Sequence, residues 1–211
     1  MSPPAGNVHP VTGPPTTLLL IGHGQSTWNA EGRWQGQADP PLSDLGRWQA
    51  AEASAKLGQV DAIVSSPQQR ALETAAILAG ALGVGPINLV DDFRERHAGP
   101  WSGLTRAEIE VTWPGWVDDG RRPDGYELDG PLAARAMAAL DEVVEEFAGG
   151  VVLVVCHGGL IRTVEAGLGI AEGRIPNLAG RVLHHGPGGL RPGERLELAL
   201  PARVDEGDPR V

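Results

Sequence analysis

The chain has one cysteine among its 211 residues, Cys156, so no intrachain disulfide can form, and a reducing compartment is expected. It is short of positive charge, with 17 Lys and Arg against 27 Asp and Glu, a formal net charge of −10. A general nucleic-acid binder or an anionic-membrane binder needs a basic face, so neither partner is expected. That balance leaves room for a small phosphorylated ligand in a locally basic pocket. Long apolar runs are absent too. The longest, such as VVLVVC, fall far below the roughly 20 residues of a membrane-spanning helix. No charged-then-apolar leader opens the sequence, and a cytoplasmic location follows as the expectation. Neither an internal repeat nor a cluster with metal-ligand spacing is found, so no metal and no cofactor is expected.

What is present suits one well-buried domain, with hydrophobic residues at 41%, near the soluble average. Residues 1–15, rich in proline and glycine, read as a flexible lead-in, and residues 204–211 as a polar tail. Between them, 16–203 forms a single domain. Short branched runs at Leu18–Ile21, Ala62–Val64 and Val151–Val155 read as strands buried on both faces. Weaker strand candidates are Ile87–Val90 and Arg181–His185, with Leu196–Leu200 at an edge. Helical patterns lie between them: Asp44 to Leu57 after the N-cap Ser43, Gln68 to Leu82, and Pro131 to Phe147. This alternation predicts an α/β fold, a three-layer α/β/α sandwich around a mostly parallel central sheet. In such folds the site lies beyond the C-terminal ends of the strands.

Chemistry-bearing residues stand at those ends. Gly22-His23-Gly24 follows the first strand, Ser65-Ser66-Pro67 with Arg70 the second, and Glu95 lies in the loop after Ile87–Val90. His157-Gly158-Gly159 follows Val151–Cys156. Each alone is an ordinary structural residue, but four coincidences at four strand ends point to a site. The set suits phosphoryl transfer, with an imidazole nucleophile, cations around the equatorial oxygens, and a carboxylic acid for the leaving alkoxide. Glycines beside His23 would let backbone approach a phosphate closely.

Four segments, HGQSTWNAEGRWQGQADPPLSDLG, SSPQQRALETA, FRERHAGPWSGLT and VVCHGGLIR, resemble in order the motifs of the histidine phosphatase superfamily, the phosphoglycerate mutase-like fold. The resemblance covers roughly Thr16 to Asn177. It implies His23 as nucleophile, Glu95 as proton donor and base, and His157 and Arg70 as phosphoryl-binding groups. Asn29 and Gly24 would line the phosphate pocket. Trp28, Trp34 and Trp101 would pack loops, and Gly46 and Ala50 would fit a helix close to the sheet.

One departure stands out. The family's first motif opens with an arginine that grips the phosphoryl group, and here that residue is Gly22. Removing one preorganised charge stabiliser costs about 10²–10³ in rate. Three readings stay open: Arg33 or Arg96 compensates, the domain binds phosphate esters with little or no catalysis, or the glycine is a substitution one base from most arginine codons. Arg121 and Arg122 match a mutase pair that clamps the substrate's other charge, or form a solvated loop pair. Only 61 residues separate Glu95 from His157, and the helix Pro131 to Phe147 leaves little of them for the mutases' long enclosing insertion. Phosphomonoester hydrolysis of a small phosphorylated metabolite is therefore expected ahead of mutase activity. The segment Trp113–Trp116 is expected to be exposed, as a homodimer contact or a substrate lid.

Overall fold

The computed structural model describes residues 15–199 apart from residue 172. The expected tail, and all of the expected lead-in except residue 15, lie outside that range. Six strands form one sheet: β1 (Thr16–Gly22), β2 (Ala62–Ser65), β3 (Ile87–Leu89), β4 (Val151–Cys156), β5 (Ala179–Gly186) and β6 (Gly189–Glu197), in spatial order β3-β2-β4-β1-β5-β6. The first four in that order run parallel, and β5 and β6 add antiparallel pairs at one side. The sheet is thus mixed and mostly parallel. The edge strand expected at Leu196–Leu200 starts earlier, at Gly189, because β5 and β6 form a hairpin that turns between Gly186 and Gly189.

Helices are α1 (Thr27–Ala30), α2 (Asp44–Ser54), α3 (Gln69–Leu82), α4 (Arg106–Thr112), α5 (Asp129–Glu146) and α6 (Gly158–Gly167). The alternation along β4 explains the layers, because successive strand side chains face opposite ways. Val152, Val154 and Cys156 join the core beneath α5 and α6, whereas Leu153 and Val155 join the one beneath α2 and α3. Each face buries its own apolar set, so the central strands read as continuous hydrophobic runs. Ser43 caps α2 through the Gly46 N–H, as its sequence position suggested. The helix ends at Ser54 rather than Leu57, and residues 55–57 continue only as turns.

A third, smaller core lies over the site end of the sheet. Trp101 is fully buried there with Ile109, and Trp34, Trp113, Trp116 and Tyr126 pack against them. The Trp34 and Trp101 rings meet edge to face at 5.1 Å. Trp113 and Trp116 therefore do not stand exposed as expected; their apolar rings are partly covered by this cluster.

Candidate active site

His23 leaves the end of β1 and is held from three sides. Its backbone N–H donates to the Cys156 carbonyl, and its own carbonyl accepts from the Leu178 N–H and from Asn177 Nδ2. On the ring, Nδ1 lies 2.6 Å from the Gly24 carbonyl oxygen. A carbonyl can only accept, so Nδ1 carries the proton. Arg70 Nε donates to Nε2 at 3.1 Å, which requires a lone pair on that nitrogen. Both contacts select the neutral tautomer, with Nε2 unprotonated and accepting from Arg70. Burial, reinforced by the Arg70 charge, lowers the His23 pKa to about 3.

Arg70 sits in the first turn of α3 with no exposed surface. Its terminal nitrogens donate to the carbonyls of Ala38 and Gly36 at 2.8 and 2.9 Å. Burial lowers its pKa to about 10, still far above neutrality, so the charge is permanent at physiological pH. Gln68 is not among the residues expected at the site. Its amide donates to the same two carbonyls, and its side-chain oxygen accepts the Glu95 N–H at 2.7 Å. One buried glutamine thereby ties the arginine's loop to the loop that carries Glu95.

His157 follows β4 and is wholly buried, its ring 5.3 Å from that of His23. Nε2 meets Ser66 Oγ at 2.8 Å, and Nδ1 has no hydrogen-bond partner among the described residues. Burial, with Arg70 adding to it, holds the pKa of His157 well below the ordinary imidazole value. Glu95 accepts the Arg96 N–H on Oε1 and the Gly159 N–H on Oε2, at 2.7 and 2.8 Å. The second donor is one of the first-turn N–H groups of α6 that no helical carbonyl reaches. A Cβ on residue 159 would lie 2.5 Å from Oε1, so the carboxylate occupies the space a side chain would take. Arg135, on α5, fixes the same loop from behind by donating to the carbonyls of Asp92, Arg94 and Glu95. Its signal in the sequence was only a charged residue in an otherwise apolar helical pattern.

The two glycines beside His23 have different explanations. A Cβ on Gly24 would sit 2.5 Å from the Gly46 carbonyl oxygen, and one on Gly46 would collide with the Gln25 carbonyl oxygen. Gly24 thus serves the close docking of α2 on the strand end, and its N–H is spent on Thr74 Oγ1. Close approach of a phosphate, the expected reason, is not what this backbone requires. At Gly22 a Cβ meets nothing closer than 3.7 Å, and the residue lies in extended β1. That position accommodates a side chain and has none.

A cleft of about 720 Å³ opens here, lined by Gly22, His23, Asn29, Arg70, Glu95 and Gly159 among others. Asn29 spends its side-chain oxygen on the Ser26 N–H and Asn177 Nδ2. The four arginines expected as compensating or substrate-binding groups divide. Arg96 and Arg122 line the cleft. Arg33 is occupied by Glu31, Glu108 and the Gly103 carbonyl, and Arg121 by Asp119 and the face of Trp116; neither lines the cleft. Arg33 therefore does not fill the space at Gly22. Arg96 is itself engaged with Asp129, Thr163 and the Glu127 carbonyl. Two further arginines, Arg162 and Arg174, line the cleft although neither follows a strand end directly. Among the described residues no group of His, Cys, Asp and Glu is placed to hold a metal. Cys156 is fully buried, and burial pushes its thiol pKa upward, which makes it an unreactive core residue.

Residues 18–183 match the sequence profile of the histidine phosphatase superfamily, branch 1. The chain belongs to that superfamily. Among its relatives is a glucosyl-3-phosphoglycerate phosphatase of Mycolicibacterium vanbaalenii, 38% identical over 91% of this chain and 87% of the relative. A metal-independent phosphoserine phosphatase of Arabidopsis thaliana is 33% identical over 80% of this chain and 76% of its own. The solved structure of a mycobacterial glucosyl-3-phosphoglycerate phosphatase superposes with a TM-score of 0.76 at 30% identity, over 85% of this chain and 96% of that one. A Bacillus anthracis phosphoglycerate mutase, at 23% identity and a TM-score of 0.73, shares the fold. The nearer relatives named here are phosphatases, in line with the short span between Glu95 and His157.

Proposed function

We propose that this histidine phosphatase superfamily member hydrolyses a phosphomonoester through a phosphohistidine on His23, without metal, and at a rate limited by the glycine at position 22. The observation that carries the reading is the pair of ring contacts on His23. They leave a neutral imidazole with its lone pair on Nε2, beside a permanent buried cation.

In the first step the Arg70 Nε–H passes from Nε2 to a phosphoryl oxygen, the freed Nε2 lone pair attacks phosphorus, and the bond to the leaving oxygen breaks. Glu95, in its acid form, gives that oxygen its proton. The Gly24 carbonyl takes up the positive character that develops at Nδ1–H. Arg70 and the unpartnered Nδ1 of His157 face the equatorial oxygens, where the transition-state charge is spread. Asn29 adds its amide group at the cleft wall. In the second step the Glu95 carboxylate takes a proton from water, the water oxygen attacks phosphorus, and the P–N electron pair returns to Nε2. Inorganic phosphate leaves.

Gly22 favours a second reading, a domain that binds phosphate esters with little turnover. No side chain at that position reaches the phosphoryl group, and Arg33 is engaged elsewhere. An aryl phosphate assay on the wild type and His23→Ala separates the two. Turnover that disappears in His23→Ala supports the hydrolase, and turnover indifferent to it defeats the phosphohistidine mechanism. Absence of turnover alongside His157-dependent phosphate binding would support the binding domain.

A further inference from the structure

We infer that the space beside Gly22 binds a guanidinium or ammonium cation, free in solution or carried by the ester, which shares the bound phosphoryl group with Arg70. The inference rests on the phosphomonoester reading of the cleft and adds a second ligand to it.

The bland account of a glycine is a demand of the backbone or of close packing. Neither applies at position 22. Gly22 is not among the glycines with positive φ, and it pairs in regular register with Cys156 across β1 and β4. Glycines that packing does require lie nearby. A Cβ on Gly46 or Gly180 would lie 2.0 or 1.9 Å from a carbonyl oxygen, whereas one on Gly22 meets nothing closer than 3.7 Å. The fold leaves room there that neither backbone nor packing calls for.

That room opens on the cleft and is lined to accept a donor. Gly22, Gly158, Pro176 and Asn177 all line the cleft. The two atoms nearest a Cβ built on Gly22 are the carbonyl oxygens of Ala179 and Pro176, at 3.7 and 3.9 Å. The Pro176 oxygen accepts the Ala179 N–H and keeps a second lone pair. The third atom, the Gly158 nitrogen at 4.0 Å, carries a first-turn N–H of α6 and suits the phosphoryl oxygen that the cation would meet. Asn177 donates to the His23 carbonyl and Gly158 follows His157, so the space adjoins both histidines.

Charge decides that the ligand is a cation. A phosphomonoester carries about −1.5 to −2 at neutral pH. His23 and His157 are held neutral, Arg70 is the positive group bonded to the attacking ring, and Arg96 is already paired with Asp129. One cation does not balance such an anion. A planar guanidinium can donate from one edge to the two carbonyls and from another to phosphoryl oxygens.

Inorganic phosphate, which the protein does not consume, is the probe, because a cation bound beside an anion must raise the anion's affinity. Its Kd would be measured by calorimetry on the full chain in three solutions of equal ionic strength. These are millimolar guanidinium chloride, sodium chloride, and sodium chloride with urea, a neutral molecule of guanidinium's shape. The inference predicts about tenfold tighter binding in guanidinium alone, equivalent to 1.4 kcal/mol. No such gain is expected in Gly22→Arg or Gly22→Leu, whose side chains fill the space. Equal Kd values in the three solutions would overturn the inference, as would the same gain in either variant. Turnover by the wild type then tells the two sources apart. A cation from solution speeds ethyl phosphate and phosphoethanolamine alike. If the ester carries the cation, phosphoethanolamine is the faster in sodium chloride, and guanidinium speeds only ethyl phosphate. Guanidinium that tightens phosphate binding without turnover of either ester would count against the hydrolase and leave the cation site standing.

Discussion

Arg70 Nε lies 3.1 Å from His23 Nε2 and donates to it. The buried cation therefore holds the nitrogen that would attack phosphorus in its unprotonated state, and the same guanidinium stands where phosphoryl charge would develop. Charge repulsion between Arg70 and a protonated ring works together with burial to keep His23 neutral.

That double role makes Arg70 costly to replace. Arg70→Ala should lower kcat on an aryl phosphate by about 10²–10³. Arg70→Lys should recover little, since a lysine cannot reach Nε2 and the Gly36 and Ala38 carbonyls together. Steady-state kinetics beside a melting curve would separate loss of rate from loss of fold.

Gly22→Arg should raise turnover by one or more orders of magnitude, because the position lies in extended β1 with room for a Cβ. Parallel kinetics on the two proteins decide it. Unchanged turnover would mean that another cation already serves, and Arg96 would then be the next residue to replace.

Gly159→Ala should act through Glu95. Its Cβ would meet the carboxylate at 2.5 Å and push it from the α6 N–H, whereas Gly158→Ala meets nothing closer than 3.5 Å. The loss in kcat should be larger for an alkyl phosphate, whose leaving group needs the proton, than for a nitrophenyl phosphate. Gly158→Ala should leave that ratio near the wild-type value.

Two buried neutral histidines make the fold sensitive to acid. Both have folded-state pKa values below that of the unfolded chain, and that of His23 is lowered to about 3. Between about pH 6.5 and 3 the unfolded chain binds more protons, so stability falls as pH is lowered through that window. Tm measured from pH 7 to pH 4 should drop, and His157→Asn should shallow the slope. A slope indifferent to that substitution would contradict the neutral, buried state of His157.

Most of the fold could be read from the sequence because the central strands are short branched runs, and the two cores beneath them repeat that pattern residue by residue. The β5–β6 hairpin was harder, since Gly189–Glu197 contains Pro192 and Gly193 and shows no clean alternation. Of the candidate site, the residues that follow strands stand out by position alone. Gln68, Arg135 and Asn177 do not, because each acts by bonding to backbone far away in sequence, and only the folded chain brings the partners together. Gly24 was found for the wrong physical reason. A glycine needed for helix docking looks, in one dimension, the same as one needed for a ligand.

The central claim is a phosphoryl group carried on His23. Rapid mixing with an aryl phosphate, quenching in alkali to preserve a phosphoramidate, and peptide mass spectrometry would test it directly. The account predicts one phosphoryl group on the peptide that bears His23, formed as fast as or faster than turnover and absent in His23→Ala. Phosphate on another residue, or turnover that persists in His23→Ala, would contradict it.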